Sequence, residues 1–396
     1  MPAHAHSKPV RADRPGKGRR GWFTAIILAS VAVIAVVAVG IASSAWHGSG
    51  GRAAASPTSA PKHGVDTSLT TGPFRVVSVT PADQMTAVPS DATVSVQFSA
   101  PLRRGSPTPT LSPAVAGVWQ IVTANTYMFV ASGPLVPSTT ETITVPGGSG
   151  GVTSVGGKTL TQATTSSFTV AAGNTLRLQQ LLAQLGYLPV SFSPVGPLTA
   201  PQEATQPQQG TFSWKWAEPA SLESLWTQGT GNQITTGAVM AFESAHDMKT
   251  DGVAGPAVWA QLLADAAAGT VSTAPYNYVY VSKSLPETAT VYSDGTAVYS
   301  SRANTGVPGA DTQAGTFPVY LRYKVTTMTG TNVDGSKYSD PGIPWVSYFN
   351  GGDALHGYVR ASYGFPQSNG CVELPPANAA VIWPLTPIGT LVTVSA

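Results

Sequence analysis

One cysteine, Cys371, stands among 396 residues, so no disulfide can form within the chain. Nowhere do His, Cys, Asp and Glu fall at a metal-ligand spacing, and the pattern implies neither a metal nor another cofactor. Charge is scarce: 21 Lys and Arg stand against 19 Asp and Glu, for a net +2. Without a basic stripe, a nucleic-acid-binding surface is excluded. Long apolar runs are missing too, with one exception near the N-terminus.

That exception is "WFTAIILASVAVIAVVAVGIASSAW", with no charge from Trp22 to Trp46. About 21 helical residues at 1.5 Å each span roughly 30 Å, the thickness of a hydrocarbon core. The preceding tail carries Lys8, Arg11, Arg14, Lys17, Arg19 and Arg20 against Asp13. Basic residues before the span predict a cytoplasmic N-terminus, a single pass through the cell membrane and an extracytoplasmic remainder. The run exceeds the about 7–15 apolar residues of a signal peptide. That favours an uncleaved anchor over a cleaved signal, although Ser43 and Ala45 resemble a cleavage pattern.

What is abundant is Gly (41) and Pro (33), together with Thr, Val and Ser. This predicts a mainly β, multidomain chain. The expected order is a basic tail 1–21, a transmembrane anchor 22–43 and a flexible linker 44–72. Three folded domains, 73–171, 172–270 and 274–396, follow. Between 73 and 171, short strand-like runs such as "RVVSVTP", "ATVSVQFS", "TYMFVAS" and "SSFTVAA" recur between turn residues, the pattern of a sandwich. Ala92, Val94, Val96 and Phe98 share one strand face. "VTPADQMTAVPSDATVSVQFSAPL" resembles the opening of bacterial immunoglobulin-like domains.

The period changes at Asn174. Leu178, Leu181, Leu182 and Leu185 follow the i, i+3, i+4, i+7 spacing of one helix face, and Gly186 stands where a helix ends. Further on, Asp251–Gly252 separates two more helical patterns, the second carrying Val258, Trp259, Leu262 and Leu263. Together these pieces resemble the small helical peptidoglycan-binding domain of cell-wall enzymes. A Pro/Gln/Ser-rich insertion, 189–233, interrupts the likeness. Its Trp214 and Trp216 would either stack on sugar rings or pack over the helices.

From Ala274 strand patterns return, including a hairpin "YSDGTAVY" with Asp294–Gly295 as its turn. This last segment holds one histidine, His356, and one cysteine, Cys371, 15 residues apart in "HGYVRASYGFPQSNGC". A thiol is mostly protonated at neutral pH, and its attack needs a base that only His356 can supply here. Gly370 leaves room beside the sulfur, and N–H groups of the turn could receive an oxyanion. The bland reading makes His356 a loop residue and Cys371 a packed one.

"HG" followed by "YGFPQSNGCVEL" resembles the signature of the L,D-transpeptidase catalytic domain, the YkuD type. "TGVPGADTQAGTFPVYLRY" and "GIPWVSYFNGGDALHG" resemble its upstream segments in the same order. The resemblance implies a β-rich catalytic domain over about 276–396, with Cys371 as nucleophile, His356 as general base and acid, and the Gly357 carbonyl orienting the imidazole. Ser368, Asn369 and Gly370 would frame the nucleophile turn, and Tyr348 is a candidate for the substrate cleft. Two residues depart from the pattern: Asn369 stands where His is common and Glu373 where Arg is frequent. Glu373, a second substrate-binding candidate, is expected to shift peptide preference. The implied reaction is acyl transfer on peptidoglycan stem peptides, giving 3→3 cross-links through a thioester. Hydrolysis of the same thioester, or wall binding with weak catalysis, are the alternatives. The implied partners are stem peptides, glycan and the membrane, and a monomer is expected.

Overall fold

The computed structural model describes residues 72–395 apart from 199. The predicted tail 1–21 and anchor 22–43, with nearly all of the linker, lie outside the described residues. No helix among the described residues is long and apolar enough to cross a membrane.

The first eight strands are β1 (Val76–Thr80), β2 (Met85–Val88), β3 (Val94–Phe98), β4 (Thr110–Ser112), β5 (Gly117–Thr123), β6 (Thr126–Ala131), β7 (Thr140–Val145) and β8 (Thr164–Val170). They form two four-stranded sheets, ordered β1-β3-β6-β5 and β2-β8-β7-β4. Side-chain alternation builds the interior: Val94, Val96 and Phe98 are buried while Gln97 between them is exposed. Ile143, Val145, Phe168 and Val170 of the second sheet join the same core. Ala92 sits partly buried at its edge.

The next elements are α1 (Thr175–Gln184), β9 (Val190–Pro194), β10 (Gly210–Trp214), α2 (Ala220–Glu223), α3 (Gln233–Ala245) and α4 (Pro256–Ala268). Asn174 and Asn232 cap α1 and α3, their side chains accepting from the Arg177 and Thr235 N–H groups. Leu178, Leu181, Leu182 and Leu185 bury against Val239, Phe242, Trp259 and Leu262. The insertion is not patternless: β9 and β10 pair antiparallel from Gly210↔Pro194 to Trp214↔Val190. Each is only five residues long, too short for alternation to stand out from the flanking Pro and Gln. Trp214 packs on the helical core. Trp216 lies against the backbone of Gly295, where an added Cβ would meet its Cβ at 2.5 Å.

The final segment begins with β11 (Asn277–Ser282), β12 (Thr288–Ser293) and β13 (Thr296–Arg302). It continues with β14 (Gly315–Pro318), β15 (Leu321–Thr331), β16 (Lys337–Asn350), β17 (Asp353–Gly357), β18 (Val372–Leu374), α5 (Pro376–Ile382) and β19 (Leu391–Val394). One sheet runs β13-β12-β11-β19-β14 and the other β15-β16-β17-β18. Their core joins Val279, Val281 and Val291 to Leu355, Val372, Leu374 and Ile382. The run "GTFPVYLRY" divides: β14 ends at Pro318, the Val319 N–H bonds to Thr390, and the Tyr320 N–H crosses to Tyr348 of the second sheet. β15 and β16 form a long hairpin whose tip, 332–336, reaches the loop before β18.

Candidate active site

The parallel pairing of β17 and β18 brings the two chemistry-bearing residues together. Its register sets Leu355 opposite Val372, His356 opposite Glu373 and Gly357 opposite Leu374. Alternation then sends Leu355, Val372 and Leu374 into the core and leaves Ala354, His356, Cys371 and Glu373 on the other face. His356 and Cys371 line one cavity of about 400 Å³. The β15–β16 hairpin of the same sheet also lines it, through Met328, Asn332, Tyr338, Asp340 and Ile343.

His356 is 3% exposed, and its Nδ1 lies 3.1 Å from the Gly357 carbonyl. A carbonyl only accepts, so Nδ1 carries the proton and the neutral ring presents the Nε2 lone pair. Burial lowers its pKa below the ordinary 6.5; the Gly357 contact and the Glu373 carboxylate act in the opposite direction. The Cys371 thiol has an edge on the cavity, with the rest enclosed by protein. Burial pushes it up to about 12, and the Asp353 carboxylate adds to this. Its Sγ lies 3.7 Å from the Gly352 carbonyl. Thiol and imidazole are therefore both neutral at rest.

The turn before the sulfur is tightly determined. Ser368, 2% exposed, donates from Oγ to the Cys371 carbonyl at 2.6 Å and accepts from the Gly370 N–H at 3.2 Å. Gly370 has φ 113°, a conformation that requires glycine, and a Cβ there would also have to displace Asp353 Oδ1. The Ser368 and Gln367 N–H groups bond to the Thr305 carbonyl. Thr305 in turn donates its N–H and hydroxyl to the buried Glu287 carboxylate at 2.6 and 2.7 Å. Thr305, which opens the quoted run "TGVPGADTQAGTFPVYLRY", thus helps hold the turn before Cys371.

The remaining candidates divide. Asn369 Nδ2 donates to Asn332 Oδ1 at 2.7 Å, tying the nucleophile turn to the hairpin tip. Tyr348 is 8% exposed and packs with Tyr320 and Tyr323; it does not line the cavity. Glu373 is held by a residue that sequence reasoning missed. Arg360 Nε and Nη2 donate to its two oxygens at 2.8 and 2.7 Å, with the guanidinium 4.6 Å from the Tyr358 ring centre. The sign reversal at Glu373 is therefore compensated inside the protein. Arg360 stood in the quoted loop, four residues after His356, but only the fold shows that it turns back on β18. Among the described residues no group of His, Cys, Asp and Glu could hold a metal ion.

Residues 276–394 match the L,D-transpeptidase catalytic domain, YkuD. The chain carries an L,D-transpeptidase catalytic domain. Residues 70–170 match a bacterial Ig-like domain. Similar solved structures include an L,D-transpeptidase from Mycobacterium smegmatis: 15% identity, 82% of this chain, 100% of that chain, TM-score 0.28. Another is L,D-transpeptidase 3 from Mycobacterium tuberculosis with a faropenem-derived adduct: 14% identity, 81% of this chain, 98% of that chain, TM-score 0.28. A third is the catalytic domain of the E. faecium L,D-transpeptidase: 26% identity, 30% of this chain, 95% of that chain, TM-score 0.28. A comparison with curated proteins found no match. The L,D-transpeptidase domain supports a cell-wall transpeptidase that modifies peptidoglycan. Neither matched domain covers the helical stretch 172–270.

Proposed function

We propose that this protein is a cysteine-dependent L,D-transpeptidase forming 3→3 cross-links between peptidoglycan stem peptides. The observation that carries the reading is one cavity lined by both Cys371 and a His356 whose Nδ1 is fixed on the Gly357 carbonyl. Cys371 Sγ attacks the carbonyl joining the third stem residue to the terminal D-alanine. His356 Nε2 takes the thiol proton and passes it to the departing amine. A side-chain amine of a second stem then attacks the thioester, and its proton returns through His356 to the sulfur. Ser368, Asn369 and Gly370 hold the turn, from which the Cys371 N–H serves the oxyanion. No step needs a cofactor.

The proposed setting is extracytoplasmic, with residues 22–43 as membrane anchor and the Ig-like domain as spacer. We assign residues 172–270 to support of the catalytic sheet, because Tyr278 and Leu391 of that sheet belong to the helical core. The packing of Trp214 and Trp216 favours this over a sugar-stacking platform.

The test is intact mass after incubation with a carbapenem, then with a tetrapeptide stem, using Cys371→Ala as control. An adduct on the wild type alone and cross-linked muropeptides as product are expected. Trimmed stems without cross-links would make the protein an L,D-carboxypeptidase, and no adduct at all would overturn the acyl-enzyme.

A further inference from the structure

The charges that line the cavity do not balance. On the floor, Arg360 is committed to Glu373 through two hydrogen bonds, and each cancels the other's charge. From the hairpin Asp340, partly buried and in register with Met328, brings a carboxylate to the same space. Among the described residues no hydrogen bond or ion pair engages that carboxylate. His356 is kept neutral by burial. The cavity holding the nucleophile therefore retains one uncompensated negative charge, carried by the hairpin.

A part-desolvated carboxylate without a partner gains most from a cation that can also donate hydrogen bonds, which describes an alkylammonium group. An approaching carboxylate would meet repulsion from Asp340, and its natural partner, Arg360, is already engaged. We infer that Asp340 is a specificity-determining residue that receives an ammonium group of a stem peptide in the cavity it shares with Cys371. This rests on the transpeptidase reading and adds the chemistry that selects the peptide. The ammonium belongs either to the acceptor stem, whose amine attacks only after giving up one proton to solvent, or to the third residue of the donor, and the experiment separates the two.

The first arm measures binding rather than turnover. Full-length Cys371→Ala protein is titrated, at low and at moderate salt, with a stem tripeptide bearing a free side-chain amine and with its N-acetylated twin. A preference of about tenfold for the amine, shrinking with salt, is expected. Asp340→Asn should reduce it below about twofold and Asp340→Glu should keep most of it. No preference, or one that survives Asp340→Asn, overturns the inference. The second arm keeps Cys371. If Asp340→Asn raises the acceptor KM about tenfold while thioester formation stays within about twofold, the acceptor supplies the ammonium. If thioester formation slows for the amine-bearing donor but not for its acetylated twin, the donor supplies it. Should the wild type form no thioester while the binding preference persists, the transpeptidase reading falls and the ammonium site stands.

Discussion

His356 and Cys371 are held in a neutral pair by the same cause, burial, acting with opposite sign on an acid and a base. A thiol pushed up to about 12 gives almost no thiolate at neutral pH, so the proposed acylation relies on neutral His356 rather than on a preformed ion pair. Since burial holds the imidazole pKa below 6.5, the fraction able to accept a proton is already high at neutral pH. The rate of carbapenem acylation should therefore rise with pH along a single acidic limb whose midpoint lies below 6.5, then stay level to about pH 8. Stopped-flow or mass-resolved kinetics between pH 4.5 and 9 would check this. A midpoint near 8 or above would mean that the thiol titration governs the rate and that the base is not His356. Asn369, in place of a second imidazole, contributes a hydrogen bond to Asn332 and no titration.

At the scale of single elements, β7 carries an unusual burden. Glu141 on this strand is 1% exposed, and its Oε2 has no hydrogen-bond partner. Burial lifts its carboxyl from 4.5 up to about 7. A carboxyl with a raised folded-state pKa binds its proton more tightly folded than unfolded. Its contribution is thus fully present below about pH 4.5 and lost as pH rises through about 7. The difference corresponds to on the order of 3 kcal/mol. Glu141→Gln should flatten the fall in Ig-like domain stability between these pH values, measured as Tm by calorimetry at each pH. An unchanged slope would show that another group is responsible. β17 and β18 show the opposite economy: five and three residues place the base and the nucleophile turn through register alone.

Across the whole described chain, the helical stretch and the catalytic sheet are built as neighbours sharing one core. α3 approaches the turn before β19 so closely that a Cβ on Gly237 would stand 2.5 Å from the Gly389 carbonyl and 2.9 Å from Leu391 Cδ2. In an isolated helix Gly→Ala gains about 1 kcal/mol. Here the clash is with backbone, which cannot swing aside, and overpacking costs about 1–3 kcal/mol. Gly237→Val, which adds bulk and little helix propensity, should lower the Tm of the helical and catalytic parts together and leave the Ig-like domain's melting unmoved. A raised Tm would mean that this contact is loose and that the two parts fold independently.

Much of this protein is written locally. Alternation at Val94, Val96 and Phe98, the leucine spacing from Leu178 to Leu185, and the His-Gly and Ser-Asn-Gly-Cys motifs each report a backbone period or a turn requirement that neighbouring residues impose. They were enough for the Ig-like sandwich and the helices, and they singled out Cys371 and His356, which line one cavity. The short strands β9 and β10 were not legible, because five residues among Pro and Gln carry too few alternations. Nor was the N-terminal half of β16, where Pro341, Gly342 and Pro344 interrupt any strand pattern. The charge state of the site was the least legible of all. Glu373 was read only as an acid standing where Arg is frequent, and Asp340 was not singled out at all. Ion pairs form through space, here between residues 13 apart in the chain. Only the fold could show that Arg360 neutralises Glu373 and that Asp340 is the charge left facing the cavity.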